Sequence, residues 1–218
     1  MRPEALVRMY PKVYHMAEAD SWPSIRRHGL LSTSEVVRRA GLDANAAAQI
    51  DRQHRPDKVR VDVPGIGVII LRDQKPMAEE RLKLALVDGT RPQEWYELIN
   101  GRVFFWAEER RLLRLLNARH YRALAHDVLT LDTASLLATH GDQIELCHMN
   151  SGNTFPIPHH RGRNAFRPIA EYPVHKNGAP VKQVVEVTVL RQVENIAQHV
   201  VEVRRMRGET VLRKLLLT

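Results

Sequence analysis

Cysteine is almost missing from this chain: Cys147 stands alone in 218 residues. One thiol excludes an internal disulfide and a thiolate metal cluster, and the expectation is a reducing, cytoplasmic setting. Long apolar runs are missing too. No stretch approaches the roughly 18 residues of a membrane span, so no membrane partner is expected. The opening Met-Arg-Pro-Glu-Ala-Leu-Val-Arg has no apolar leader core. There is no P-loop, no Gly-rich dinucleotide fingerprint and no Gly-x-Ser-x-Gly elbow. The histidines are scattered, with only His159-His160 adjacent, so no metal is expected. No internal repeat or low-complexity tract occurs.

What is present is apolar residue and positive charge. Hydrophobic residues make up 44%, enough to exclude disorder of the whole chain. Lys plus Arg number 33 against 25 acids, a net charge of +8. Arginine outnumbers lysine, and its planar fork suits phosphates and base edges. The charge points to a polyanionic partner.

Residues 12–16 read as a strand, followed by a helix capped by Asp20 or Ser21 and closed by Gly29. Ser34 is expected to cap Glu35–Gly41, and Asp43 the helix after it. Val68–Leu71 reads as a strand and Ala78–Gly89 as a helix. Thr90 is expected to cap the helix of Trp95, Leu98 and Ile99. Val103–Trp106 is an aromatic strand, and Ala107–Asn117 an amphipathic helix. Strands at Asp127–Thr133 and Gln143–Cys147 flank a helix. A long loop, 148–166, is rich in Asn, Gly, Pro, His and Arg, as functional loops often are. Val181–Val193 reads as one long strand, and the C-terminus as a short helix and a hairpin. The sum is an α+β chain, 1–218 as one domain, with helical embellishment at about 34–100.

Four segments carry candidate chemistry: Tyr14-His15 with Gly29-Leu30-Leu31-Ser32; Arg72-Asp73-Gln74-Lys75-Pro76; Asn100–Arg110; and Val185-Glu186-Val187-Thr188-Val189. An imidazole where a strand ends can bond a hydroxyl, or simply the backbone. A lone carboxylate in a β-branched run is locally odd: either its face is solvated or it points into a site. Glu145 and Glu202 sit in comparable patterns. Arg72 and Lys75 suit phosphate or nucleic acid. Asn150, Ser151 and Asn153 can read a base edge or ribose. Arg161 and Arg163 add charge, and Phe166 is a possible stacking surface.

In order and spacing these segments resemble the ADP-ribosyltransferase superfamily, specifically the DarT-type enzymes that modify DNA bases. The Tyr-His-Met, Gly-Leu-Leu-Ser, Arg-Asp-Gln-Lys-Pro and Arg-Val-Phe-Phe-Trp blocks are also similar to those of a family of uncharacterised bacterial proteins, over most of the chain. The first resemblance implies a split mixed or antiparallel sheet and NAD as a substrate, with no metal. It implies that Glu186 is the catalytic carboxylate. His15, Tyr14, Ser32 and the shelf of Phe105 and Trp106 would hold the nicotinamide riboside, with Arg72, Arg102 and Arg110 competing for the phosphates. The acceptor would be a nucleic-acid base, DNA favoured over RNA, and exposed or single-stranded because a stacked base is hard to reach. It further implies a monomer with an antagonist ADP-ribose hydrolase or antitoxin, in a toxin, defence or housekeeping role. Two alternatives remain open. One is a non-catalytic basic nucleic-acid-binding module. The other is a protein-directed ADP-ribosyltransferase or NAD glycohydrolase.

Overall fold

The computed structural model describes residues 1–217. In chain order the first elements are α1 (Pro3–Met9), β1 (Lys12–Glu18), α2 (Trp22–His28), β2 (Leu30–Leu31), α3 (Thr33–Ala40) and α4 (Ala44–Asp51). A hairpin, β3 (Val59–Val63) and β4 (Gly67–Leu71), leads to α5 (Glu79–Ala85), α6 (Pro92–Asn100), β5 (Arg102–Trp106) and α7 (Glu109–Leu116). The rest comprises β6 (Ala125–Asp132), α8 (Thr133–His140), β7 (Ile144–Cys147), β8 (Phe166–Pro168), β9 (Glu186–Leu190), β10 (Gln192–Val193), α9 (Ile196–His199), β11 (Val200–Arg207) and β12 (Thr210–Lys214). The chain is α+β, as its sequence indicates.

Eight strands form one sheet in the order β12-β11-β6-β1-β5-β9-β7-β8. Every pairing within it is antiparallel rather than mixed. The sheet is split at its centre. β1 runs beside β6 through seven register pairs, Lys12↔Asp132 to Glu18↔His126. Against β5 it keeps one pair, Tyr14↔Trp106. Past that point the two four-stranded halves diverge.

Alternation along the strands sorts the two faces. Val13, Ala17, Val103, Phe105, Leu129, Leu131, Val187 and Val189 pack on one face with Leu6 of α1, Trp22 of α2, Leu136 of α8 and Ile196 of α9. The other face is covered in two places. Leu112 and Leu116 of α7 meet Met16, Val128 and Met206. Leu82, Trp95, Tyr96 and Ile99 of α5 and α6 meet Cys147, Met149 and Phe166. Fully burying one such Leu or Phe side chain contributes about 1.5–3 kcal/mol.

Several sequence expectations shift. The region 34–100 is not purely helical, because it contains the β3–β4 hairpin. The cap of α3 is Ser32, whose Oγ accepts from Glu35 N, and Ser34 lies inside the helix. Arg91, not Thr90, precedes α6, and its N–H donates to Glu94 at 2.8 Å. The long strand expected at 181–193 is two strands broken at Arg191, where φ is +64°. That break frees β10 to pair with β2. No helix among the described residues is long and apolar enough to cross a membrane.

Candidate functional site

The split opens into a cavity of about 550 Å³. One wall is the diverging edge of β1, His15 to Glu18, and the facing edge of β5, Val103 to Trp106. A second wall is the α2–β2–α3 connection, Gly29 to Thr33. The β3–β4 hairpin and the Arg72-Asp73-Gln74 turn close a third side. Asn150, Ser151, Gly152 and Glu186 complete the lining.

Glu186 opens β9 in line with Trp106 on one neighbour strand and Cys147 on the other. Trp106 is in turn the partner of Tyr14, so Glu186 lies two strands, roughly 10 Å, from β1. The residue is 4% exposed. Its Oε1 accepts the Ser151 N–H at 3.0 Å, and its Oε2 is buried with no partner. Burial pushes its pKa up to about 7, against the opposing pull of the Ser151 side chain and amide and of the Arg161 and Arg111 charges. Near neutral pH this carboxyl is thus poised between acid and base.

His15 sits where β1 leaves β5. In place of a ladder bond, its Nδ1 lies 2.8 Å from the Phe104 carbonyl. A carbonyl only accepts, so Nδ1 carries the proton and Nε2 is left as an acceptor. Burial, with the Arg72 charge adding to it, lowers the pKa to about 4. The ring is held edge-on to Phe105 at 5.8 Å. His15 is thus bonded to the backbone and also lines the cavity.

Arg72 brings a cation to the same cavity. It lies 4.7 Å from the Tyr121 ring centroid, and its buried Nε has no partner. The rest of its segment is structural. Asp73 accepts from Tyr121 Oη at 2.7 Å, and Gln74 Oε1 accepts from Arg55 N at 3.0 Å. Ser32 lines the cavity, but its Oγ is the α3 cap. Trp106 and Asn150 also line it, while Phe105 is a core residue at the cavity's edge.

Other candidates lie elsewhere. Tyr14 belongs to the apolar cluster under α7. Arg102 does border the cavity, but it is tied to Glu145, donates to Leu98 O and lies over Phe166 at 4.5 Å, so both it and the alternative carboxylate Glu145 are engaged. Phe166 is buried and cannot stack on a base. Glu202, the other alternative, pairs with Lys214 on the outer strands. Arg110 is exposed on Glu108, Lys75 pairs with Asp57, and Arg163 pairs with Glu94. Asn153 folds onto its own loop through Phe155. Arg161, expected on nucleic acid, is buried.

The structure adds residues that sequence reasoning passed over. Tyr121, Lys58, Arg60 and His126 line the far end of the cavity. Lys58 pairs with Glu18 of β1 at 2.6 Å, joining hairpin to sheet. The signal for this region was in the chain. Val59-Arg60-Val61-Asp62-Val63 alternates strictly and runs into Pro64-Gly65.

Among known families, the one described as a family of unknown function (DUF7002) matches residues 11–200, and the chain belongs to it. No curated protein and no solved structure matches.

Proposed function

We propose that this member of the DUF7002 family is an NAD-dependent ADP-ribosyltransferase acting on a nucleic-acid base, with exposed or single-stranded DNA as the favoured acceptor. The observation that carries the reading is a buried carboxyl, Glu186, with one oxygen held and one unpartnered, on a cavity formed where an antiparallel sheet splits beside His15. The resemblance of the sequence blocks to ADP-ribosyltransferases supplies the class, and the net charge of +8 favours a polyanionic acceptor.

The residues fit the substrate. Two orphaned polar atoms, Glu186 Oε2 and Arg72 Nε, suit a ligand with one hydroxyl-rich and one anionic part. NAD, when bound, brings an ADP-ribosyl group on a nicotinamide leaving group. Ionised Glu186 puts negative charge where positive charge develops in an oxocarbenium-like state. The same Oε2 can take a proton from an acceptor nitrogen. His15 Nε2 accepts from a ribose hydroxyl, and Arg72 supplies charge for a phosphate. Trp106 offers an aromatic surface to the nicotinamide ring.

The test is incubation with labelled NAD and, separately, single-stranded DNA, duplex DNA, RNA and bulk protein. Mass spectrometry then reads adducts. The expected result is an adduct on single-stranded DNA that falls at least about 100-fold in Glu186→Gln, as for loss of a group acting in the transition state. An adduct on protein alone moves the acceptor class. Nicotinamide release without any adduct makes the protein a glycohydrolase. Neither adduct nor free nicotinamide overturns the reading.

A further inference from the structure

Arg161 lies in a loop of His, Gly and Arg residues, yet it is 1% exposed. Its guanidinium donates to three carbonyls of that loop: His159 O at 3.0 Å, Ser151 O at 2.7 Å and Asn153 O at 2.8 Å. Its main chain is anchored to the end of α5. Arg161 N donates to Ala85 O at 2.8 Å, and Val87 N to Arg161 O at 3.0 Å. The Trp95 ring of α6 lies 5.5 Å from its Cζ. Among the described residues no carboxylate forms a salt bridge with it.

Burying a guanidinium without a salt bridge is costly, and a neutral side chain could pin a loop more cheaply. What the arginine adds is a fork that holds three points at once and a fixed positive charge. The loop it pins carries Ser151, whose N–H is the donor on Glu186 Oε1. The charge also acts on Glu186 and Cys147.

The geometry points to Arg161 as a positioning residue for Glu186. It fixes the 150–160 loop so that the Ser151 amide meets Oε1 of a residue that lines the cavity, with Oε2 buried and without a hydrogen-bond partner among the described residues. Its charge favours the ionised carboxylate against burial. This rests on the proposed function only for its meaning in catalysis, since the positioning itself is a property of the resting protein. The groups acting on Glu186 come from two sides. Ser151, through its side chain and its amide, and Arg161 stand in the loop and Arg111 on α7, and the neighbouring Cys147 thiol on β7 is itself pushed up by burial and by Glu186. His15 and Arg72 also line the cavity.

The experiment is a direct titration of the Glu186 carboxyl by ¹³C NMR, assigned by its loss in Glu186→Gln. The wild-type midpoint is expected at about 7. Arg161→Met, confirmed folded by circular dichroism, should raise it by about one pH unit or more, and Arg161→Lys by less because the charge is kept. In the wild type the Ser151 amide proton should titrate with the same midpoint and lose that step in Glu186→Gln. This second measurement stands if Arg161→Met does not fold. An unmoved midpoint in folded Arg161→Met, or a Ser151 amide flat from pH 5 to 9, overturns the proposal. NAD turnover is followed in parallel. Its pH midpoint should move up with the carboxyl, and absence of wild-type turnover overturns the proposed function alone.

Discussion

Glu186 carries a stability signature as well as a chemical one. Its carboxyl ionises at about 4.5 when unfolded and about 7 when folded. Below the lower value both states hold the proton, and the native state has its full stability. Between the two values the unfolded chain has lost the proton and the native state has not, so stability falls as pH rises, then levels off. The full penalty is roughly 3 kcal/mol. Glu186→Gln removes it, so the variant should melt higher than the wild type at pH 8 and nearly level with it at pH 5, by calorimetry. His15 works in the opposite sense. Its lowered pKa means stability lost as pH falls from 6.5 to about 4. At this scale Glu186 was legible because a carboxylate among β-branched residues is conspicuous. Arg161 was not, because a polar loop sequence reads the same whether its arginine faces water or three carbonyls.

Elements position these residues through a few obligatory contacts. Gly29, between α2 and β2, has φ +84°, and a Cβ there would stand 2.7 Å from the Val193 carbonyl oxygen. Gly29→Ala should therefore cost about 1–3 kcal/mol and lower the melting temperature by several degrees, since β2 must move off β10. An unchanged melting temperature would show that this connection gives way freely. The short strands were the hardest elements to foresee. Leu30–Leu31 exists because Arg191 turns with positive φ and presents Gln192–Val193 as its partner. That long-range pairing leaves no local pattern. The β3–β4 hairpin does leave one, in the strict alternation of Val59–Val63 that pairs with the expected strand at Val68–Leu71. The helices from α2 onward lie close to where their local caps and apolar spacing put them, although α3 is capped two residues earlier, at Ser32 rather than Ser34, and the short α1 at Pro3–Met9 was not foreseen.

Across the whole molecule the excess of positive charge is partly committed. Arg38, Arg39 and Arg191 gather on Glu35, and Arg205 on Asp127 and Asp20. Glu35 and Asp127 are buried and each needs these partners to carry its charge, and the pairs lower the count of cations available to a polyanion. Single-stranded DNA should bind with a log K that falls linearly with log salt, by about 0.7 for each phosphate engaged. Fluorescence anisotropy across a sodium chloride series measures this, and a salt-independent affinity would count against nucleic acid as the acceptor. The net charge was readable from composition alone. Its distribution was not, because ion pairing depends on which segments the fold brings together.

The split sheet has a mechanical consequence. On the cavity side its two four-stranded plates are joined by one rivet, the Tyr14↔Trp106 pair, and one strut, the His15 ring against the Phe104 carbonyl, while on the other face Val13, Ala17 and Leu131 share one core with Val103, Phe105 and Val187. Each such bond is worth about 1 kcal/mol net. A ligand that wedges the cleft therefore strains these two polar contacts first, while the shared core and the seven-pair seam between β1 and β6 hold the plates together. The histidine at the throat is the contact on which that strain falls.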